Sequence, residues 1–270
     1  MKKINLLLAT LLLLASLCGC KSSTQQDDNK NLLEKIKEKG TIVIATEGMW
    51  KPWTYHDDND KLTGFDVELA RLIAEKLGVT AEFAESEFNS GLAGIDSKRY
   101  DVMINGVDIT PSREEKYAFS DPYCYNHTAL IVLKENNDIT SFEDLNGKKT
   151  ANTLQSSYAA LAEQYGATVT GVNDFSETIQ LLTTGRIDAT LNDYMTYIDY
   201  ITANPDADVK VAAIYPDATS VAIVMRQGEE TDSLRTEINK ILQELRNDGT
   251  LTQLSIKYFG TDITTENITE

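Results

Sequence analysis

Cysteine is scarce in this chain of 270 residues: Cys18 and Cys20 stand near the N-terminus, and Cys124 is the one thiol of the body. A single thiol cannot staple a fold, so packed cores must hold it together. Histidine is rarer still. His56 and His127 sit near no cysteine pair, so a zinc site is not expected, nor any other metal. Positive charge is also in short supply, with 25 Lys and Arg against 42 Asp and Glu and a net charge of −17. That balance argues against a nucleic-acid partner and suits a surface kept soluble beside a membrane. The glycines fit neither a phosphate-binding loop nor a dinucleotide fingerprint, so no cofactor is expected. An apolar run of the roughly 20 residues that cross a bilayer is missing as well.

What is present at the N-terminus is a shorter apolar run. Lys2 and Lys3 precede Ile4–Leu17, which only Asn5, Thr10 and Ser16 interrupt. Such a segment reads as a signal peptide and is set apart from the fold. It ends in Leu17-Cys18-Gly19-Cys20, which resembles the bacterial lipobox. By that resemblance residues 1–19 are removed, Cys20 carries a lipid, and the net charge falls to −19 with the loss of Lys2 and Lys3. Ordinary secretory cleavage is the alternative. Lys21–Lys30 is uniformly polar and cannot bury surface, so residues 20–31 are expected to act as a tether.

The body is too long for one typical compact domain and suits two lobes. Thr41–Ala45 reads as a buried strand, and Gly64–Gly78 as a helix with its apolar stripe at Val67, Ala70, Ile73, Ala74 and Leu77. A weak strand around Phe83, a helix over Asn89–Lys98 and a strand over Tyr100–Ile104 follow. The same grammar returns with strands at Thr150–Leu154, Val169–Val172 and Ile187–Leu191. Helices at Ser157–Tyr165, Phe175–Thr184 and Asp193–Ala203 alternate with them. Two βαβαβ runs imply right-handed crossovers and largely parallel sheets. Two extended apolar runs, Ala129–Leu133 and Ser220–Met225, are expected to pair as the crossover between lobes. Helices at Ser233–Arg246 and Leu251–Tyr258 would return the chain to lobe one.

Several ordered blocks resemble bacterial solute-binding protein family 3, the polar amino-acid receptors of ABC importers. They are Thr46–Trp53, Gly64–Ala70, Asp108–Glu114, Phe119–Tyr123, Ser141–Lys149, Gly185–Ala189 and Asp248–Leu251 with Tyr258-Phe259-Gly260. Within the family Ser157-Tyr158-Ala159, Glu163–Ala167, Leu191-Asn192-Asp193 and Pro205-Asp206-Ala207 look most like the cystine-binding branch. The resemblance implies an α/β, two-lobed, type II periplasmic-binding-protein clam-shell. Each lobe would be a mainly parallel sheet flanked by helices, with two crossover strands between them. Lobe one would comprise residues 32–133 plus 221–263 and lobe two residues 134–220. It also implies a monomeric, extracytoplasmic, membrane-anchored receptor that is not an enzyme. Its partners would be a small amino acid, cystine foremost, and the permease subunits of the importer. Another polar amino acid, or a cyclohexadienyl dehydratase-like reaction on the same fold, is the alternative.

A free amino acid offers a carboxylate, an ammonium and a side chain. Arg113 suits the carboxylate, because a planar guanidinium grips both oxygens. Thr110 as cap and Pro111 at the first helical position would start a turn around it. Solvation beside Glu114 or Glu115 is its bland alternative. Ser156 and Ser157 open a helix whose first amides could hold the same anion, or simply cap the helix. Asp193, after a strand, could take the ammonium or be a cap only. Asn105, Gly106 and Asp108 follow the Tyr100–Ile104 strand, at the strand end where open α/β sheets bind ligands. Trp50 is expected to wall the cleft while Trp53 is core. By the resemblance Glu47 has a secondary ammonium or ordering role; Phe88 and Tyr158 are further pocket candidates. Tyr158 departs from the small hydroxyl residue of other branches, which bears on side-chain choice. Cys124 reads as an inert buried thiol, with disulfide exchange as the other possibility.

Overall fold

The computed structural model describes residues 30–266, so the signal, Cys20 and most of the tether lie outside the described residues. Helix α1 (Leu32–Lys39) opens on Asn31, which forms a reciprocal cap with Glu34, and leads into strand β1 (Thr41–Thr46). A small antiparallel meander of β2 (Met49–Trp50), β3 (Thr54–His56) and β4 (Leu62–Thr63) follows. These strands are two or three residues long, too short to leave a periodic signal, and the sequence did not announce them. Next come α2 (Phe65–Leu77), β5 (Thr80–Glu85), α3 (Phe88–Asp96), β6 (Val102–Met103), the four-residue α4 (Pro111–Glu114) and β7 (Tyr117–Phe119).

The chain then crosses on β8 (Cys124–Asn126) and enters β9 (Thr128–Leu133). The second half contains β10 (Lys149–Asn152), α5 (Ser157–Gln164), β11 (Thr168–Gly171), α6 (Phe175–Thr183), β12 (Thr190–Asp193), α7 (Tyr194–Ala203) and β13 (Val209–Ile214). Strand β14 (Thr219–Val221) crosses back to β15 (Val224–Arg226), and α8 (Glu229–Asn247) and α9 (Thr250–Phe259) close the fold.

The first sheet has the order β5-β1-β6-β15-β7, with β1 parallel to β5 and β6, and β15 antiparallel to both its neighbours. In the second lobe β10 pairs parallel with β11, a single parallel bridge joins Thr150 to Ala189 just before β12, and β9 lies antiparallel between β12 and β13. Both lobes therefore have the same plan. Four strands run one way, and the reversed strand is the one that arrives through the crossover.

That plan corrects one expectation. Ala129–Leu133 does not pair with Ser220–Met225 as a crossover. It is the reversed strand inside the second sheet, and its Thr128–Val132 stretch is wholly buried. The crossover pairing is one step earlier, Cys124–Asn126 against Thr219–Val221. A boundary at 133 thus puts β9 on the wrong side of the crossing. The apolarity of β9 comes from helices on both faces, as in any central strand of a two-sided sheet. Strand β12 is also displaced, from 187–191 to Thr190–Asp193.

Each sheet is packed on both faces. Ile42, Ile44, Phe65, Leu69, Ile73, Ile238 and Leu242 join α2 and α8 to one face of the first sheet, while Leu92, Ile95 and Met103 pack α3 on the other. In the second lobe Ile131, Ile179, Leu182 and Tyr197 hold α6 and α7, and Leu130, Phe142, Leu145 and Tyr158 hold α5.

Candidate functional site

The carboxyl ends of β1 and β6 in one lobe face the ends of β10 and β12 in the other. Between them lies a cleft bordered by residues of both lobes. Arg113 is fixed on α4, where Pro111 takes the first position and the Thr110 hydroxyl accepts the Arg113 amide at 3.4 Å. Proline has no N–H to waste there, and threonine satisfies an orphan donor of the turn. The guanidinium is buried. Its Nη1 donates to the Asp108 carbonyl at 2.9 Å, and Nη2 reaches across the cleft to the Gln155 carbonyl at 3.0 Å. Gln155 holds a positive φ of 65°, unusual for a residue with a side chain, and this aims its carbonyl at the arginine. The face of Phe88 lies 5.1 Å from the guanidinium carbon. The arginine therefore stays planar, oriented and charged; burial lowers its pKa while the neighbouring Asp108 raises it.

Asp108 forms a single bridge to Val221 and is 3% exposed. Ser157, from the other lobe, donates its hydroxyl to Oδ2. Oδ1 is buried without a partner. Burial pushes this carboxyl up, against the Ser157 hydrogen bond and the Arg113 charge. Ser156 caps α5 by accepting the Ala159 amide at 3.1 Å. The Ser157 and Tyr158 amides come before the first intrahelical acceptor and suit an anion. Tyr158 is buried, and its hydroxyl accepts from Asn126 Nδ2 at 2.9 Å.

Trp50 borders the cleft and stacks on Trp53, with ring centres 5.5 Å apart. Trp53 is fully buried against Phe65 and Phe259. Gly106 makes that stack possible: its φ is +55°, and a Cβ there would come within 2.6 Å of the Trp50 ring. The Gly106 amide is held by the carboxylate of Asp66, which also accepts from the Tyr123 hydroxyl at 2.9 Å. Asp66 is completely buried, and burial raises its pKa to about 7. Sequence reasoning missed this support, although Asp66 stands inside the Gly64–Ala70 block.

Of the residues expected at the site, Glu47, Trp50, Phe88, Gly106, Asp108, Arg113, Ser156, Ser157 and Tyr158 border the cleft. Asn105 and Asp193 do not. The Asn105 side chain stands one layer behind, donating to Glu47 Oε2 at 2.6 Å and accepting the Glu47 amide at 2.8 Å. Asp193 caps α7 by accepting the Thr196 amide at 2.8 Å, and the same oxygen accepts the Trp53 indole N–H at 3.3 Å. Its Oδ2 is buried without a partner, and burial raises its pKa to about 7. The lining that sequence reasoning missed is mostly polar and belongs to lobe two: Asn152, Thr153 and Asn192 at strand ends, and Asn173, Asp174, Phe175 and Thr178 around the start of α6. Met49, 65% exposed, stands at the mouth. Cys124 is buried, and burial with the nearby Asp66, Asp193 and Asp108 carboxylates pushes its thiol well up, which disfavours the reactive thiolate. Among the described residues no group of His, Cys, Asp and Glu is placed to hold a metal, and no helix is long and apolar enough to cross a membrane.

The sequence that builds this two-lobed α/β body matches a known family. The profile of bacterial extracellular solute-binding proteins, family 3, covers residues 42–261. The chain belongs to that family. The L-cystine-binding protein TcyA of Bacillus subtilis (strain 168) is 39% identical over 269 residues, covering 97% of this chain and 99% of its own. Among solved structures, an ancestral arginine-binding protein bound to arginine superposes with a TM-score of 0.76 at 37% identity, covering 82% of this chain and 99% of its own. The L-cystine solute receptor of Neisseria gonorrhoeae in the unliganded open conformation gives 0.59 at 37% identity, covering 86% and 98%. At equal identity the bound form is the better match. That agrees with the direct bonds between lobes here, from Arg113 to Gln155, Ser157 to Asp108 and Trp53 to Asp193.

Proposed function

We propose that this family 3 protein is a lipid-anchored receptor that captures L-cystine outside the cytoplasm and delivers it to the permease of an ABC importer. One observation carries the amino-acid part: a buried, oriented Arg113 stands beside the first turn of α5, and two buried carboxylates, Asp108 and Asp193, each keep an oxygen without a partner. The arginine and the α5 amides answer a carboxylate, and the orphan oxygen of Asp108, which borders the cleft, answers an ammonium. Ligand would dock on lobe one at Arg113 and Trp50. Closure about the β8 and β14 crossover then adds the α5 amides and brings up Asp193, with Asn105 and Asp66 holding the wall in shape. The relative that binds L-cystine matches end to end, and this favours cystine over other polar amino acids. Arginine is the second reading, supported by the arginine-bound structural relative and by the acidic Glu47 and Asp174 on the cleft.

A thermal-shift screen of the common amino acids plus L-cystine tests the choice. Ligand at 100 times its Kd stabilises the native state by about 2.7 kcal/mol. Cystine should give the largest upward shift. A larger shift with arginine, and none with cystine, would hand the site to the second reading. The anchor has its own test: Cys20→Ser should move the protein from the membrane fraction to the soluble fraction. Incubation with prephenate or arogenate should yield no product.

A further inference from the structure

The crossing between the lobes is made by β8 and β14, and both of its outer edges are occupied. On the β14 side the Ile109 amide donates to the Ser220 carbonyl at 2.8 Å, and the Ala222 amide to the Val107 carbonyl at 3.0 Å. The segment that carries Asp108 therefore lies along that edge. On the β8 side the neighbour comes from far away in sequence. Tyr125 is opposite Ser220 by register, yet its amide donates to the Ile263 carbonyl at 2.8 Å. Ile263 packs in the core of lobe one, so lobe one flanks the crossing on both sides.

Residues 261–264, which supply the outer edge, follow α9 and form no helix or strand of their own. A polar stretch after a last helix ordinarily frays unless something ties it down. Here Ile263 and Thr264 are each 1% exposed. Ser255, buried on α9, donates its hydroxyl to the Thr261 carbonyl at 2.8 Å and accepts the Ile263 amide at 2.9 Å. Arg246 on α8 donates Nη1 to the Thr264 carbonyl and Nη2 to the Pro122 carbonyl at 2.9 Å. Pro122 stands two residues before β8, so one guanidinium staples this segment to the chain that feeds the crossing. Neither Ser255 nor Arg246 borders the cleft.

These anchors leave little chain free to bend. Tyr125 is held by lobe one, while the His127 carbonyl accepts the Tyr194 amide of lobe two at 2.9 Å. On the return the Tyr215 amide donates to the Thr128 carbonyl at 2.8 Å within lobe two, and β14 begins at Thr219. We infer that residues 261–264 clamp the outer edge of the hinge, with Ser255 and Arg246 as positioning residues. The clamp confines the bend to residues 126–127 and 216–218 and sets ligand affinity from outside the cleft. This rests on the reading of the cleft as an amino-acid site that closes on its ligand, and adds what bounds the closing motion. Affinity depends on how readily the closed form is reached. Releasing the clamp frees Tyr125 and gives the open form conformations that closure must remove.

Two variants of the full-length protein release the clamp separately. Ser255→Ala leaves the Ile263 amide without its acceptor, and Arg246→Gln breaks the link to Pro122. In ligand-free protein, hydrogen exchange read by NMR should show the Tyr125 amide exchanging about tenfold or more faster in either variant, relative to β1 amides. L-Cystine affinity in calorimetry should fall about fivefold, the worth of ordering one backbone residue, with the loss in the dissociation rate. L-Arginine takes its place as the probe where the parent binds that instead. Arg246→Lys keeps the charge without the planar fork and should recover part of both effects. Should Arg246→Gln fail to fold, Ser255→Ala and Arg246→Lys carry the same readings. Leu242→Ala controls for plain loss of stability: its melting temperature should fall with relative Tyr125 exchange and affinity kept. Unaltered Tyr125 exchange in the variants, or faster exchange with affinity inside twofold of the parent, overturns the clamp and leaves the amino-acid reading standing. If the parent binds neither L-cystine nor L-arginine, that reading fails instead. The clamp is then judged on exchange and on solution X-ray scattering, where the variants should show a larger radius of gyration, and an identical one overturns it.

Discussion

Arg113 is held by backbone carbonyls on both sides of the cleft, so its replacement tests contact and closure together. Arg113→Ala should weaken ligand binding by roughly 30-fold to several thousand-fold, the range for truncating one partner of a buried charged pair. Arg113→Lys keeps the charge but loses the planar fork, and should recover only part of that loss. Calorimetry that found Arg113→Ala within threefold of the parent would remove the arginine from the carboxylate site. Asp193 makes a pH-dependent claim. Its ligand-free pKa is raised from 3.8 to about 7, so the native state holds a proton there that the unfolded chain gives up near pH 4. Its contribution to stability is therefore present below pH 4 and is lost as pH rises through about 7. A bound ammonium favours the carboxylate and lowers that pKa. Binding should then release a proton below pH 7, and affinity should fall by up to roughly tenfold per pH unit as pH drops from 7 toward 5. Titrations in buffers of different ionisation enthalpy read this directly; flat affinity from pH 5 to 7.5 would contradict it.

At the scale of elements, the chemistry sits on very short pieces placed by long ones. Helix α4 has four residues and β6 two, yet they carry Arg113 and lead to Gly106 and Asp108. The loop from Ile104 to Asp108 is shaped by Gly106 and by the Asp66 carboxylate at the start of α2. Gly106→Ala meets both an unfavourable φ and the Trp50 ring, so affinity should fall about tenfold or more as the aromatic wall moves. Unchanged calorimetric affinity in that variant would show that the stack is not needed. The long helices do a different job. Leu242 on α8 is 2% exposed and packs in the core of lobe one, away from the cleft. Leu242→Ala should cost about 2–5 kcal/mol of stability, read as a lower melting temperature, with ligand affinity kept.

Across the whole molecule, closure is a set of contacts that exist only when the lobes meet. The Trp53–Asp193 hydrogen bond is buried, whereas the Lys51–Asp199 ion pair at 3.2 Å is partly exposed and screened. Trp53→Phe keeps an aromatic side chain but loses the pyrrole ring with its N–H donor, and should weaken binding mainly by speeding dissociation. Lys51→Ala should change affinity by less than about fivefold. Both tryptophans stand at the meeting of the lobes, so ligand addition should alter tryptophan emission in stopped-flow experiments. Emission indifferent to saturating ligand would argue that the lobes do not move.

The alternating strands and helices, the capped turn before Arg113 and the serine-opened α5 were legible in the chain, because each depends on neighbours within a few residues. Residue pattern alone also made the two-lobed plan plausible, since a helical stripe and a buried strand declare how many faces they must cover. Pairing was not legible. Thr128–Leu133 reads as apolar whether it crosses between lobes or lies within a sheet, and only its partners β12 and β13 decide. Nor could spacing show that Asp193 bonds Trp53 across 140 positions, that Asp66 holds Gly106, or that Asn152 and Asp174 share a cleft with Glu47. Burial and orphaned acceptors arise when distant segments exclude water together, so they belong to the tertiary structure.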